Sequence, residues 1–248
     1  MHFTTETGEG LEAKALKSAP LSSRDRRKAR RLFQITAAAE QLVLDGGVFD
    51  FRMDTLAESL GLAKGTLYRY FKSKDALLMH LITLREEELL FMLSSAPDTE
   101  TALRSCYEAQ IKDFAKTLVY QQIEEQIAAS DKSVISEFKR LYEVRRARAR
   151  KLIELCGDYI TQCESEMSVR DFLGGSFALV HGSATLLNSS FYQRYMGERE
   201  SLKRALLEQI MALPKGSKAT DASDQFNSGD PQVSAMPAAN QDDLSDLE

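Results

Sequence analysis

Residues 53–77 read MDTLAESLGLAKGTLYRYFKSKDAL, and this stretch decides the fold of the N-terminal part of the chain. The apolar residues between Met53 and Leu60 recur at i, i+3, i+4 and i+7, which is the spacing of one helix face. Gly61 follows, and glycine adopts the positive φ of a tight turn without steric cost. The pattern therefore predicts a short helix, a glycine turn and a second short helix over residues 63–70.

The outer face of this second predicted helix is rich in hydrogen-bond donors. Two short helices joined by a turn are the geometry that places the second helix in a DNA major groove. Gly65 would let the backbone approach a duplex closely, and Lys74 follows where the N-terminus of the next helix favours a phosphate. Four side chains can reach phosphates or base edges: Lys64, Thr66, Tyr68 and Arg69. The segment is therefore predicted to bind DNA.

Helical patterns extend in both directions from this segment. Upstream, residues 24–44 are amphipathic, their first turns are crowded with Arg and Lys, and Gly46 and Gly47 end the helix. Downstream, Ser73 is placed as the N-cap of a helix over residues 74–93. We therefore expect a three-helix unit that is continued by a longer helix.

Charge is distributed unevenly along the chain. Residues 21–74 contain eleven Lys and Arg residues and six Asp and Glu residues, a balance of +5, although the net charge of the whole chain is −5. The rest of the chain therefore carries −10. A basic segment on an acidic body is typical of a protein that binds phosphates with one end only.

The remaining sequence predicts further helices. Glycine, proline and β-branched runs are few, and helical patterns cover residues 99–118, 120–129, 132–164, 168–192 and 198–213. We therefore predict an all-α chain in four parts. They are a flexible arm (1–22), a helix-turn-helix DNA-binding domain (23–78), a larger helical domain (79–213) and a disordered acidic tail (214–248).

Several groups of residues within 28–78 fall together in one register. They are the glycine turn, Lys64-Gly65-Thr66, Leu67-Tyr68, Tyr70-Phe71 and Lys74-Asp75. In this register the segment closely resembles the DNA-binding domain of the TetR (tetracycline-repressor) family. The resemblance implies a homodimer whose two recognition helices enter successive major grooves of double-stranded DNA at an inverted-repeat operator. It also implies that the helical domain over residues 79–213 binds an effector and forms the dimer.

The resemblance also indicates which side chains meet DNA. Leu67 and Phe71 are implied to hold the recognition helix in the core, while Arg69 either reads a guanine or contacts phosphate. Many family members have a threonine at the position of Arg52, where it caps the helix and contacts phosphate. Arg52 can still reach phosphate, but the cap must come from elsewhere, with Asp50 and Asp54 as candidates. The predicted DNA contacts are Arg52, Lys64, Gly65, Thr66, Tyr68, Arg69, Tyr70 and Lys74.

The sequence argues against an enzyme, a metal site and a membrane protein. It shows no Ser/His/Asp spacing, paired carboxylates, phosphate-binding glycine loop or His/Cys cluster, so we expect no catalytic residue, no metal and no cofactor. Apolar stretches fall short of the roughly 20 residues of a membrane helix, and we expect a cytoplasmic protein. Cys106, Cys156 and Cys163 are interpreted as small buried apolar residues.

Two features of the predicted helical domain (79–213) can be interpreted in more than one way. The basic run 145–151 is either a solvated helix face, paired with acids such as Glu143 and Glu154, or the mouth of a pocket for an anionic effector. His181 lies among small and apolar residues and is interpreted as an interface or core histidine rather than a catalyst. The residues that bind an effector stay unassigned.

Three functions compete for the chain. The first is a dimeric, sequence-specific transcriptional regulator, a repressor that a small-molecule effector releases from its operator. The second is a ligand-independent DNA-binding architectural or cell-division factor on the same fold. The third, a helical enzyme, lacks any supporting motif. For the first, we expect an apolar or amphipathic effector held among the helices between about residues 85 and 190.

Overall fold

The structure, a computed structural model, describes residues 22–129, 135–195 and 197–216. Within them the chain forms ten α-helices, a 3₁₀ turn and no β-strand, so the predicted all-α fold is confirmed. The helices are α1 (Ser23–Gly46), α2 (Met53–Ser59), α3 (Lys64–Tyr68), α4 (Lys74–Ser95), α5 (Thr99–Lys112), α6 (Phe114–Ala129), α7 (Ile135–Gln162), α8 (Val169–Asn188), α9 (Ser190–Gln193) and α10 (Arg199–Ala212). None of these helices is long and apolar enough to cross a membrane. The predicted arm up to residue 21, and the predicted tail from residue 217, lie outside the described residues.

The turn between α2 and α3 has the predicted geometry. Gly61 adopts φ +60°. Its N–H donates to the carbonyl of Glu58, and the N–H of Leu62 donates to the carbonyl of Ala57. These are the two hydrogen bonds of a Schellman motif, which satisfies the last carbonyls of a helix. The chain therefore leaves α2 abruptly and enters α3 at a fixed angle.

A first hydrophobic core holds α3 in place. Leu56 and Leu67 are fully buried in it, and Phe71 lies beside them. The same core continues into α6 and α7 through Ile123 and Leu141. The helix-turn-helix unit and the following helices therefore share apolar contacts.

A second core fills the space among α5, α7, α8 and α10. The rings of Tyr159 and Phe172 stack with centroids 6.0 Å apart, and the Tyr159 hydroxyl donates to the carbonyl of Met211 at 3.0 Å. Cys106 and Cys156 are buried here, and their burial raises the pKa of Cys106 to about 11 and that of Cys156 to about 12. Both thiols therefore stay protonated and act as small apolar residues, as predicted.

Three features of the body differ from the predicted ones. The helix predicted over 99–118 is interrupted at Asp113, whose carboxylate accepts a backbone N–H from the first turn of α6. The helix predicted over 168–192 is interrupted at Ser189, whose side chain caps α9. Pro214, predicted to begin the disordered tail, is instead buried in the 3₁₀ turn Leu213–Gly216. In the first two cases a short polar side chain satisfies the backbone better than a continued helix does.

α4 links the helix-turn-helix unit to the body. Its first turn is capped by Ser73, which accepts a hydrogen bond from the N–H of Ala76 at 3.1 Å, as predicted. Residues on several sides of the helix are buried, from Ala76 to Leu93. α4 is therefore an internal helix that packs against both cores.

Candidate functional site

α3 turns its apolar side to the first core and its polar side to solvent. Leu67 is fully buried, whereas Lys64, Gly65, Tyr68 and Arg69 are exposed. Tyr68 exposes 45% of its surface, so its ring and hydroxyl are available to a partner. Apart from its chain neighbours and the backbone of its own helix, no atom of the described residues lies within 4 Å of a Cβ built on Gly65. Packing within the chain therefore does not require glycine there, and the space in front of it is open to a duplex.

Three of the predicted DNA contacts, Lys64, Thr66 and Arg69, take part in hydrogen bonds on this surface. Lys64 Nζ lies 2.6 Å from the carboxylate of Asp54 on α2, and this hydrogen bond, together with the charge of Asp54, raises the pKa of Lys64. Arg69 donates to the hydroxyl of Thr66 at 3.2 Å. Ion pairs this exposed contribute little to stability. A phosphate can therefore replace the Asp54 carboxylate at small cost.

Lys74 has a structural contact that the sequence did not indicate. Its ammonium donates to the carbonyl of Val48 at 2.8 Å and lies 5.8 Å from the ring centroid of Phe51. Burial lowers the pKa of Lys74, and the nearby charge of Arg52 lowers it further. Lys74 therefore holds the segment between α1 and α2 against the start of α4.

The cap of α2 differs from the prediction. Arg52 occupies the N-cap position in an extended conformation and its side chain makes no capping hydrogen bond. Asp54, one of the two candidate caps, pairs with Lys64 instead. The expectation that Asp50 or Asp54 caps this turn was therefore wrong. Asp54 still lies in the first turn, where its negative charge interacts favourably with the helix dipole.

A basic cleft brings the N-terminal run of α1 beside the recognition helix. The cleft has a volume of about 670 Å³, and Tyr70, just after α3, forms part of its wall. Its other lining residues are Ser22, Arg24, Asp25, Arg27, Lys28 and Arg31. Cations gathered on one surface attract the phosphate backbone without sequence preference. Tyr70 and the basic run of α1 therefore extend the polar face of α3.

The body contains a second candidate site, a cavity of about 350 Å³ lined by residues of α5, α7 and α8. Leu152, Leu173 and Val180 contribute to its apolar wall. Its polar lining residues are Tyr107, Gln110, Arg148 and Ser176. The Tyr107 hydroxyl donates to Ser176 at 3.1 Å. An apolar cavity with a few polar groups has the composition of a small-molecule site.

The basic run of α7 divides between two environments. Lys151 pairs with Glu154 one turn away at 2.7 Å, as expected for a solvated helix face. Arg145 and Arg148 point towards α4, where both pair with Glu86. Glu86 is buried, and Arg148 also lines the cavity. The run therefore contains both a solvated residue, Lys151, and residues that pair with a buried carboxylate, so binding of an anionic effector by this run stays a prediction.

His181 has the surroundings of a structural residue. Its Nδ1 lies 3.1 Å from the side-chain oxygen of Gln121 on α6, and its ring centroid lies 4.1 Å from that of Phe177. Partial burial lowers the pKa of His181. An amide and a phenyl ring as neighbours agree with the interpretation of a core or interface histidine.

One contact between α1 and α6 was missed from the sequence. Glu40 on α1 pairs with Lys116 at 2.7 Å and accepts a hydrogen bond from the Tyr120 hydroxyl at 2.5 Å. Glu40 and Tyr120 are 80 positions apart, and spacing rules apply only within one element, so no sequence pattern could have paired them.

Solved structures share the fold of this chain. One is a bacterial regulatory protein in the tetR family from Rhodococcus RHA1, with a TM-score of 0.55 and 16% identity, covering 75% of this chain and 98% of that chain. Another is the transcriptional regulator FadR from Bacillus subtilis in complex with stearoyl-CoA, with a TM-score of 0.51 and 18% identity, covering 73% and 97%. No curated protein matches the chain. At these identities the likeness concerns the fold alone.

The helix-turn-helix unit also matches a family by its sequence. Residues 35–81 match the family model described as bacterial regulatory proteins, tetR family. The matched range contains the glycine turn, α3 and the start of α4, which are the parts that carry the resemblance. The resemblance is therefore confirmed, and the chain carries the N-terminal DNA-binding domain of the tetR family of bacterial regulatory proteins.

Proposed function

We propose that the protein is a dimeric, sequence-specific transcriptional regulator, a repressor that a small-molecule effector releases from its operator. The main support is the polar face of α3, where Lys64, Gly65, Tyr68 and Arg69 are exposed side by side. With Thr66, these residues enter the major groove, and Arg52, Tyr70 and Lys74 approach the phosphates on either side. The protein then acts in the cytoplasm, where bacterial DNA lies.

An exposed small-residue face on α8 supports the homodimer. Gly174, Ala178 and Gly182 recur every four residues along one side of the helix, and all three are exposed. Phe177 on the same helix exposes 66% of its surface, and Tyr195, beyond α9, exposes 75%. Small residues let two helices approach closely, and exposed rings add apolar area to such a contact. A two-fold interface through α8 would use the same face of both copies.

The DNA-binding proposal is tested by sequencing the genomic fragments that the purified protein retains. Two identical recognition helices related by a two-fold axis lie about 34 Å apart, or a multiple of that distance, on one side of the duplex. The bound fragments are therefore expected to share an inverted repeat, and footprinting is expected to protect both halves. Protection of a single asymmetric site of a few base pairs would contradict the dimer.

Lys74→Ala is expected to weaken binding to all DNA sequences by a similar factor. Loss of one phosphate contact reduces the slope of log K against log salt concentration by roughly one unit. The same change removes the hydrogen bond to Val48, so the free energy of unfolding is also expected to fall by about 1 kcal/mol. Titrations at several salt concentrations and urea unfolding measure the two effects. Lys112→Ala, which changes an exposed lysine on α5, is the control. An unchanged salt slope in Lys74→Ala would show that Lys74 does not contact DNA.

The cavity, and the ion pair that joins Arg148 in its lining to Glu86 on α4, support the effector. A ligand alters DNA binding only if it prefers one body conformation, and a 100-fold preference corresponds to about 2.7 kcal/mol. FadR, which shares the fold, was solved with stearoyl-CoA bound. A thermal-shift screen of metabolites identifies ligands of the native protein. Each such ligand is expected to lower the affinity of the protein for operator DNA. Operator DNA is expected to lower the affinity of the protein for that ligand by the same factor. Ligands that bind without any effect on operator affinity would favour the ligand-independent factor.

A further inference from the structure

Arg148 is shared between the cavity and the helix that leads to the DNA-binding unit. Its side chain lines the cavity, and its Nε and Nη2 groups donate to the two carboxylate oxygens of Glu86. Glu86 lies in the middle of α4, and only 8% of its side chain is exposed. One guanidinium group therefore contacts both the cavity and α4, the helix that follows α3.

The electrostatics of the cavity favour an anion. Of the described residues that line it, Arg148 alone is charged. Burial keeps the pKa of Tyr107 far above its usual value, so its hydroxyl remains a neutral group, and the Cys106 thiol is also neutral. Arginine binds carboxylates and phosphates through a planar pair of N–H donors. An anionic group that enters the cavity therefore meets one cation, and the carboxylate that competes for this cation, Glu86, lies outside the lining residues.

Glu86 can release Arg148 without losing every partner. Arg145 Nε lies 3.3 Å from Glu86, and Arg145 also pairs with Glu124 on α6. A buried carboxylate with no cation beside it is strongly disfavoured, but Glu86 would keep Arg145 after Arg148 had moved. Another anion can therefore take the place of Glu86 on Arg148 while Glu86 keeps its ion pair with Arg145.

We propose that the cavity binds an amphipathic ligand with an anionic head group, and that this head group takes the place of Glu86 on Arg148. The inference rests on the proposed regulatory function and specifies the class of effector and its first action. The apolar wall binds the tail, the guanidinium group binds the head, and α4 loses one of its ion pairs to α7. A neutral ligand of the same shape fills the cavity but leaves the pair between Glu86 and Arg148 intact.

The test compares straight-chain carboxylic acids with the matching alcohols, of about eight to fourteen carbon atoms, a range chosen for a cavity at the small end of ligand sites. Binding to the full chain is measured by calorimetry below the micelle concentration. The acid is expected to bind the unsubstituted protein about ten-fold or more tightly than the alcohol, as loss of one charged hydrogen bond implies. Equal affinities for acid and alcohol, or no binding of either at any length, would overturn the proposal.

Three variants test which residue causes the preference for the acid over the alcohol. Arg148→Gln is expected to bind acid and alcohol within about two-fold of each other, because the neutral amide no longer favours the anion. Arg140→Gln is the matched control, since Arg140 also joins α7 to α4, through Glu87, but does not line the cavity. It is expected to keep the full preference for the acid. Glu86→Gln removes the competing carboxylate and is expected to tighten acid binding several-fold while leaving alcohol binding unchanged.

Each outcome of the variants decides the proposal. If Arg148→Gln keeps the preference for the acid, the head group is bound elsewhere and the proposal fails. If Arg148→Gln binds neither compound, Glu86→Gln decides: tighter acid binding supports the exchange, and unchanged acid binding refutes it. These measurements contain no DNA. If the protein is not a DNA-binding regulator, the genomic fragment experiment fails. If the ligand proposal is wrong, only the calorimetric results change, and DNA binding is unaffected.

Discussion

Replacing Ala178 with arginine is expected to convert the protein to a monomer and to lower its affinity for the operator about 100- to 10,000-fold. Ala178 lies at the centre of the exposed small-residue face of α8, with Gly174 and Gly182 four residues away on either side. A long charged side chain there prevents close approach of two helices and would have to be buried without a partner. The loss in affinity follows because a dimer holds its second DNA-binding unit beside the second half-site once the first is bound.

Light scattering gives the mass of the variant, and titration with operator and with a single half-site gives the two affinities. The half-site affinity is expected to stay unchanged, because α3 is not altered. Ala147→Arg is the matched control, since Ala147 is an exposed alanine on α7 and the chemical change is the same. It is expected to remain dimeric. A dimeric Ala178→Arg protein with full operator affinity would place the interface on another surface.

Replacing Leu67 with alanine is expected to lower the free energy of unfolding by about 2–5 kcal/mol. Leu67 is the fully buried residue of α3, and it packs in the same core as Leu56 and Phe71. The cost has two parts: the apolar surface that is no longer buried, and the cavity that remains because the short helix cannot collapse around it. DNA binding is expected to fall as well, since α3 has only five residues and depends on tertiary packing for its position.

Urea unfolding at a fixed protein concentration measures the loss, because the stability of a dimer depends on concentration. Leu60→Ala tests the same substitution at a partly buried leucine that follows α2. It is expected to cost less than half as much, since less apolar surface is lost there. Equal losses at the two positions would contradict the view that α3 is anchored through Leu67.

The sequence alone determined the helix-turn-helix unit and the face of α3 that meets solvent. The signals there are local: an apolar spacing repeated over two turns of one helix, a glycine that adopts positive φ at position 61, and Ser73 as the cap of α4. Such features stabilise a structure through residues three to six positions apart, so they are visible in a single stretch of sequence. The exposed positions of α3 follow from the same periodicity, once Leu67 is placed in the core.

The sequence alone did not determine where two predicted helices are interrupted or how α2 is capped, because several side chains and backbone groups compete for the same hydrogen bonds. Asp113 and Ser189 accept hydrogen bonds from backbone N–H groups in the first turns of α6 and α9, and the sequence permits either such a cap or a continuous helix at each. At the start of α2, Asp54 had two available partners, the backbone of its own turn and Lys64 ten positions away. The packing of α3 against α2 brings Lys64 within reach of Asp54, and the two side chains pair.

Only the tertiary structure decided which parts of the body face one another. Glu86 occupies the apolar stripe of α4 that Ile82 and Leu89 continue, and a carboxylate in such a stripe indicates a buried partner. The sequence does not say that the partner is Arg148, which lies 62 positions away on α7. The position of a cation in a cavity depends on the packing angles and offsets of several helices. Helix packing is therefore what separates Arg148 at the cavity from Lys151 on the outer face of the same basic run.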